Sequence, residues 1–280
     1  MEIRSLVPRL WMTATVALAT LAIGPSPGHA GKPVYLGSSK DADRSMEQID
    51  HSDWNSLLAK YVDKQGRVDY SKWHATSADI TRLDDYLRRL SAADGKVSAD
   101  RKARLAFWIN AYNAVTIRGI LREYPTTSIR NHTPRLFGYH IWKDLKLYVG
   151  GEAYSLDQIE HEVLRKMNEP RIHFAIVCAS IGCPRLLNEA YSPAKLEQQL
   201  EMNSKDFFSR SQNFRHDTAA KRFYLSAILD WFGEDFGSNQ AAVLKRIAQW
   251  LPNQTAEKAA RLNTVSVSYL EYDWNLNKQP

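Results

Sequence analysis

Hydrophobic residues recur three and four positions apart in the part of the chain that follows residue 50. Two sets show this spacing: Trp54, Leu57, Leu58 and Tyr61, and then Leu83, Tyr86, Leu87 and Leu90. Because such spacing places side chains on one face of a helix, the pattern predicts two amphipathic helices. The longest apolar stretch of this part covers 101–123 and predicts a buried helix that ends before Pro125.

From residue 146 onward the pattern alternates between strands and helices. Residues 146–149 and 152–156 flank Gly150 and Gly151, which predicts a β-hairpin. A helix is expected over 155–166, and the nearly continuous apolar run 171–178 predicts a buried central strand. The remaining predicted elements are helices over 193–208, 226–232 and 239–251 and a last strand over 265–270.

The first thirty residues have the pattern of a secretory signal peptide. Arg4 and Arg9 precede the apolar stretch 10–23, and small residues follow as far as Ala30. This stretch is shorter than the roughly twenty residues needed to span a bilayer. We therefore expect cleavage near Ala30, export to the periplasm or the medium, and no stable membrane insertion afterwards. Residues 31–50 are polar and predict a flexible tether, and 51–280 are expected to form a single α+β domain.

Composition narrows the class of protein. The chain is 44% hydrophobic and 24% charged, which excludes a disordered or collagen-like protein. The net charge of +6 comes from basic residues scattered among acidic ones, so no nucleic-acid partner is predicted. Two cysteines are too few for a four-thiolate zinc site, and the chain has no phosphate-binding or dinucleotide-binding glycine motif. We predict no metal and no cofactor.

The most informative segment surrounds the two cysteines. Cys178 ends the predicted strand 171–178 and enters a turn of small residues that includes Ser180 and leads to Cys183. A thiol fixed in this way, with small neighbours that let a carbonyl approach, is typical of a nucleophile. Two other interpretations stay open. Cys178 is an inert core residue in the first, and it forms a disulfide with Cys183 in the second.

A reactive thiol needs a base. His161 lies on the helix 155–166 beside Glu160 and is the candidate, because a carboxylate orients such a base. In a strand, His173 and Cys178 would face opposite sides, so His173 is predicted as a core or pocket residue. Asn110 and Asn113 are three positions apart in the buried helix, so that they either bind neighbouring backbone or line a pocket.

Four segments carry a resemblance to a known family: 107–114, 155–161, 171–184 and 272–277. Through them the sequence is identified as a member of the domain of unknown function 547 family. The family is distantly similar to papain-like cysteine peptidases and to phytochelatin synthase, which works on glutathione. The resemblance implies a papain-like or transglutaminase-like α+β fold, with a central buried helix packed on a mostly antiparallel sheet. The helix 101–123 holds no cysteine, so either Cys178 acts from another element or the protein binds its ligand without catalysis.

These observations lead to three hypotheses. In the first, an exported thiol enzyme, Cys178 attacks an amide or γ-glutamyl (glutathione-like) peptide, with His161 as base and Glu160 or Asp273 orienting it. Substrate binding is assigned to Asn110, Asn113, His173, Ser180, Cys183, Arg185 and Tyr272. In the second, a periplasmic protein binds a small molecule or peptide on the same fold, and Cys178 and Cys183 form a disulfide. The third, a redox thiol pair, is less favoured because four residues separate the cysteines.

Overall fold

The computed structural model describes residues 32–40, 42–134 and 138–280. The predicted signal peptide, with its cleavage point near Ala30, lies outside these residues. The helices are α1 (Ser52–Tyr61), α2 (Tyr70–Ala75), α3 (Ser77–Ser91), α4 (Arg101–Glu123), α5 (Ile141–Asp144), α6 (Leu156–Gln158), α7 (Leu196–Ser209), α8 (Ile228–Trp231), α9 (Gly233–Phe236), α10 (Gln240–Ile247) and α11 (Gln254–Arg261). The strands are β1 (Val34–Leu36), β2 (Leu145–Val149), β3 (Glu152–Ser155), β4 (Phe214–Asp217), β5 (Arg222–Ser226) and β6 (Ser266–Leu270).

Helix α4 is the centre of the fold and has the bounds that its apolar pattern predicts. The Asp100 side chain caps its first turn by accepting from the Lys102 N–H, which satisfies a donor with no partner inside the helix. The helix ends at Glu123 because Tyr124 is extended before Pro125. Its side chains are buried along most of its length, and it packs against α3 and the helix that begins at α6.

The strands form two small mixed sheets. In the first, β2 pairs parallel to β1 and antiparallel to β3, so the predicted hairpin is confirmed. In the second, β5 pairs antiparallel to β4 and parallel to β6. The fold is therefore α+β, but the expectation of one mostly antiparallel sheet is wrong. Strand β1 belongs to the segment predicted as a tether, and this part of it is packed on the domain.

The apolar run 171–178 is not the buried strand that the sequence predicts. Pro170–Phe174 forms a short 3-10 helix, in which proline occupies the first turn and the Glu169 side chain accepts from the Arg171 N–H. The four residues that follow are irregular. Their backbone stays buried without a neighbouring strand because a side chain of α4 supplies hydrogen bonds to it. The apolar residues of 171–178 are apolar because the segment is buried. The strand prediction was wrong because a buried strand and a buried irregular segment have the same apolar pattern.

Two hydrophobic clusters make up the core. The larger one is formed by α1 to α4 and the first sheet. The smaller one surrounds Phe174, Phe207 and Phe223 and includes the second sheet and α10. Tyr272 packs against both clusters. Within the described ranges, no helix combines the length and the apolar character required to cross a membrane.

Candidate functional site

A cavity of about 210 Å³ has walls that contain both cysteines. Its aromatic lining consists of Tyr112, Trp142, Trp231, Phe232, Tyr272 and Trp274. Its other ionisable lining groups are Asp157, Glu160, His161, His173, Cys178 and Cys183. The mixture of apolar walls and a few converging polar groups is typical of a small-molecule site.

One hydroxyl group holds both thiols of the loop 178–183, which we call the thiol loop. The Tyr272 hydroxyl lies 3.0 Å from the Cys178 Sγ and 3.0 Å from the Cys183 Sγ. The Ser180 Oγ lies 3.4 Å from the Cys178 Sγ, and the Cys178 N–H donates to the Cys183 Sγ at 2.9 Å. Both cysteines are free thiols in this structure, so it does not contain the disulfide that the second hypothesis requires.

The two thiols differ in acidity. Hydrogen bonds from the Cys183 thiol, and then from the Ser180 and Tyr272 hydroxyls, lower the pKa of Cys178 although burial opposes ionisation. Burial raises the pKa of the Cys183 thiol and of the Tyr272 hydroxyl well above their ordinary values. Cys178 is therefore the more readily ionised of the two thiols. The activation comes from hydrogen-bond donors.

Asn113 on α4 fixes the chain that leads into the thiol loop. Its Nδ2 donates to the Ala175 carbonyl at 3.0 Å, and its Oδ1 accepts from the Val177 N–H at 2.9 Å. Directly after Cys178, Ala179 has a φ of 59°, a left-handed conformation that is uncommon for a residue with a Cβ. Such strained residues cluster at functional sites because the surrounding structure must enforce them. Here Asn113 on one side of Cys178 supplies part of that enforcement.

The chain after β6 supplies the other contacts that fix the thiol loop. The N–H groups of Ile181 and Gly182 donate to the Asn275 and Asp273 carbonyls at 2.8 and 2.9 Å. Gly182 allows this approach, because a Cβ there would lie 3.0 Å from both the Asp273 nitrogen and the Tyr272 ring. The Asn277 N–H also donates to the carbonyl of Ala179. The thiol loop and the segment 272–277, both part of the predicted motif set, are thus one hydrogen-bonded unit.

Glu160 and His161 lie on a π-helical turn, Ile159–Leu164, that continues α6. Such turns are rare and are frequent at functional sites. Tyr112 donates to the Glu160 Oε2 at 3.0 Å, and burial raises the pKa of Glu160. The carboxylate nearest the His161 ring is Asp157, at 3.9 Å from Nε2, so Glu160 does not orient this ring as predicted.

His173 is held by a carboxylate that the sequence analysis missed. Its Nε2 lies 2.7 Å from the Asp235 Oδ2, and the Arg165 Nε donates to the same oxygen at 2.7 Å. The ring stacks on Phe232 at 4.3 Å, and burial lowers the pKa of His173. No sequence signal links Asp235 to this site, because 62 positions separate it from His173. Among the described residues, no histidine nitrogen is hydrogen-bonded to either sulfur.

Four of the predicted site residues have contacts that point to other roles. The carboxamide of Asn110 is bonded on both sides to the Tyr191 backbone, and Asn113 is bonded to backbone as described, and neither lines the cavity. Arg185 donates to the Asn203 Oδ1 and lines a separate depression. The Asp273 carboxylate accepts from the Asn275 N–H within its own turn and also lies outside the cavity. Asp273 therefore does not orient His161.

Two further results bear on the identity of the site. In residues 32–40, 42–134 and 138–280, no group of three or more His, Cys, Asp or Glu side chains is arranged to hold a metal ion. No curated protein and no solved structure matches the chain. A family model described as "Protein of unknown function, DUF547" matches residues 97–208, which include three of the four resembling segments. This region, which supplies α4, the π-helical turn and the thiol loop, is similar to the DUF547 family.

Proposed function

We propose that this protein is an exported thiol-dependent hydrolase or transferase that acts on amide or γ-glutamyl peptides, with Cys178 as the nucleophile. One observation carries the proposal: the Cys178 thiol lies on the wall of an aromatic cavity and accepts hydrogen bonds from donors that favour its thiolate form. The thiolate is the nucleophilic form of cysteine, and its formation at neutral pH is the usual obstacle to such catalysis.

The reaction begins when the Cys178 thiolate attacks the carbonyl carbon of the substrate, and the carbonyl π electrons move to oxygen. The N–H groups of Ala179 and Ser180 are the candidate donors to that oxyanion, because those of Ile181, Gly182 and Cys183 already donate to backbone oxygens. Asn110 is excluded from this role because both ends of its carboxamide are bonded to backbone. Collapse of the intermediate expels the amine and leaves an acyl group on Cys178, which water or a second amine removes.

The expelled amine needs a proton, and His161 is the group that we assign to this step. Its side chain lines the cavity and is 40% exposed, so it exchanges protons with both substrate and solvent. His173 is less suited to this role, because its side chain is 1% exposed and its Nε2 is bonded to Asp235. Glu160 lies on the same wall, and burial raises the pKa of its carboxyl group.

The distant similarity to papain-like enzymes belongs to the proposal. A buried central helix beside a cavity lined by cysteine, histidine and carboxylate supports it. The arrangement differs in that the thiol comes from a loop packed against the helix and not from the helix itself. The aromatic walls also suit binding without catalysis. The experiment therefore has to distinguish a thiol-dependent enzyme from a non-catalytic binding protein.

The test is to expose the reduced protein to γ-glutamyl-p-nitroanilide and follow both nitroaniline release and acyl adducts by mass spectrometry. We expect an adduct on Cys178 and none in Cys178→Ser. Cys183→Ser keeps the nucleophile and still forms the adduct, at a higher pH. His161→Gln slows nitroaniline release by about a hundredfold or more, whereas His216→Gln, a strand residue outside the cavity, leaves it unchanged. Saturable binding of this probe without adduct or release would establish the binding protein instead.

A further inference from the structure

We propose that Cys178 and Cys183 also act together as a thiol–disulfide exchange pair, with Cys178 attacking a small organic disulfide and Cys183 resolving the product. This activity does not depend on acyl transfer, because its second reactant is Cys183, which acyl transfer does not consume. The four-residue spacing made a redox pair the least favoured hypothesis from the sequence. The folded loop removes that objection, because it places both sulfurs next to the same oxygen, that of the Tyr272 hydroxyl.

The geometry brings the two sulfurs together. Each lies 3.0 Å from the Tyr272 hydroxyl oxygen, and the Cys183 Sγ also accepts from the Cys178 N–H at 2.9 Å. The loop closes through the Cys183 N–H, which donates to the Ser180 carbonyl at 3.2 Å. The chain after β6 holds this shape by its own backbone hydrogen bonds. A disulfide across the loop therefore needs side-chain rotation and no rearrangement of distant segments.

Exposure sets the order of the two steps. Both cysteines line the cavity, but Cys178 is half-buried, whereas Cys183 is only 4% exposed. An incoming disulfide meets Cys178 first, and the mixed disulfide on Cys178 is then within reach of Cys183. The difference in acidity agrees with this order, because the attacking thiol ionises more readily and the resolving thiol keeps its proton until it is needed.

The cavity defines the class of disulfide. Its volume of about 210 Å³ admits a small molecule or the end of a thiol peptide, and both cysteines line it. Trp142, Trp231 and Trp274 provide aromatic surface, with which divalent sulfur makes favourable contacts. Trp231 is 45% exposed and stacks on Trp274 at 5.8 Å, so that this surface extends from the cavity to the solvent.

The exchange balances without a further reactant. The Cys178 thiolate attacks one sulfur of R–S–S–R, which forms the Cys178–S–S–R bond and releases RS⁻. The released thiolate takes the proton of Cys183 and leaves as RSH. The Cys183 thiolate then attacks the Cys178 sulfur, which forms the Cys178–Cys183 disulfide and releases the second RS⁻. The substrate disulfide is reduced to two thiols, and the protein dithiol is oxidised by the same two electrons.

The experiment uses the reduced chain without oxygen and bis(2-hydroxyethyl) disulfide as the probe. For the native protein we expect loss of both thiols, release of two molecules of 2-mercaptoethanol per chain and no lasting adduct. Cys183→Ser should stop after one release, with the adduct on residue 178. Cys178→Ser should react at least about tenfold more slowly, since its remaining thiol is buried and protonated. His216→Gln serves as a control for substitution in general.

A persistent mixed disulfide on the native protein overturns the proposal, because it shows that Cys183 does not reach Cys178. Equal rates for the native protein and Cys178→Ser overturn the assigned order. The same reactions are repeated in urea, to test whether a variant is slow because it is misfolded. If the difference depends on the fold, the native protein and Cys178→Ser should react at similar rates in urea. Disulfide exchange without any acyl adduct supports this inference and rejects the proposed acyl transfer. An acyl adduct without disulfide exchange supports acyl transfer and rejects this inference.

Discussion

Helix α4 and the segment 272–277 hold Cys178 from two sides by different means. Asn113 of α4 binds only backbone groups, Ala175 O and Val177 N–H, and so determines where the thiol lies. Tyr272 of the C-terminal segment binds the sulfurs themselves and so influences their charge. Asn113 therefore contributes to the position of the thiol, and Tyr272 contributes to its acidity. Substitutions on the two sides should affect separate observables.

The largest effect is expected from Asn113→Ala. This change leaves the Ala175 carbonyl and the Val177 N–H buried without their partner, and each such group costs about 1–3 kcal/mol. We expect the free energy of unfolding to fall by about 2–6 kcal/mol, measured by urea denaturation. Asn131→Ala is the control, because the Asn131 side chain is exposed and bonds the hydroxyls of Thr126 and Thr127. Equal losses for the two variants would show that α4 does not fix the thiol loop.

A smaller effect on stability and a specific effect on acidity are expected from Tyr272→Phe. The ring keeps its packing, but the hydroxyl that contacts both sulfurs is lost, while the Ser180 and Cys183 side chains remain beside Cys178. The pKa of Cys178 should therefore rise.

The measurement for Tyr272→Phe is the rate of native iodoacetamide labelling as a function of pH. The thiolate is the reactive form, so the rate increases with pH and reaches its plateau above the pKa. A raised pKa moves this curve to higher pH, and below the midpoint the variant should react more slowly than the native protein. Tyr269→Phe is the control, because Tyr269 is 48% exposed on β6. An unchanged midpoint of the labelling curve in Tyr272→Phe would show that Tyr272 does not activate the Cys178 thiol.

The smallest effect is expected from Asp273→Asn, next to Tyr272. Its side chain accepts from the Asn275 N–H and does not line the cavity, and the asparagine amide oxygen can accept the same bond. Stability should change by less than about 0.5 kcal/mol, and the labelling midpoint should stay where it is in the native protein. A lowered rate of acyl-adduct formation in this variant would restore the orienting role that the sequence analysis gave to Asp273.

The sequence predicted best those parts of the fold whose structure depends on near neighbours. Helix α4 has its predicted bounds, and the hairpin of β2 and β3 forms around Gly150 and Gly151 as expected. The strand predicted over 171–178 was wrong because the hydrogen-bond partner of this backbone is the Asn113 side chain, more than sixty positions away in the chain. Periodicity has no information on such a partner.

The same distinction applies to the site. Cys178, Cys183 and Tyr272 stand in segments of unusual composition, and the structure brings these three together. Asp235 stands in an ordinary polar stretch, and only the fold brings it to His173. Asp157 was overlooked because Glu160 is closer to His161 in the sequence. On the helical turn, however, it is Asp157, four positions earlier, that lies near the His161 ring.

The hydroxyl that bridges the two sulfurs lies 94 positions after Cys178 in the chain. Cys178 is therefore synthesised well before Tyr272, whose hydroxyl is one of several groups that lower the pKa of Cys178. Until the segment 272–277 docks on the thiol loop, Cys178 lacks one of its donors, and its reactivity is closer to that of an ordinary cysteine. The acidity of Cys178 therefore depends on the docking of a segment that is far from it in the chain.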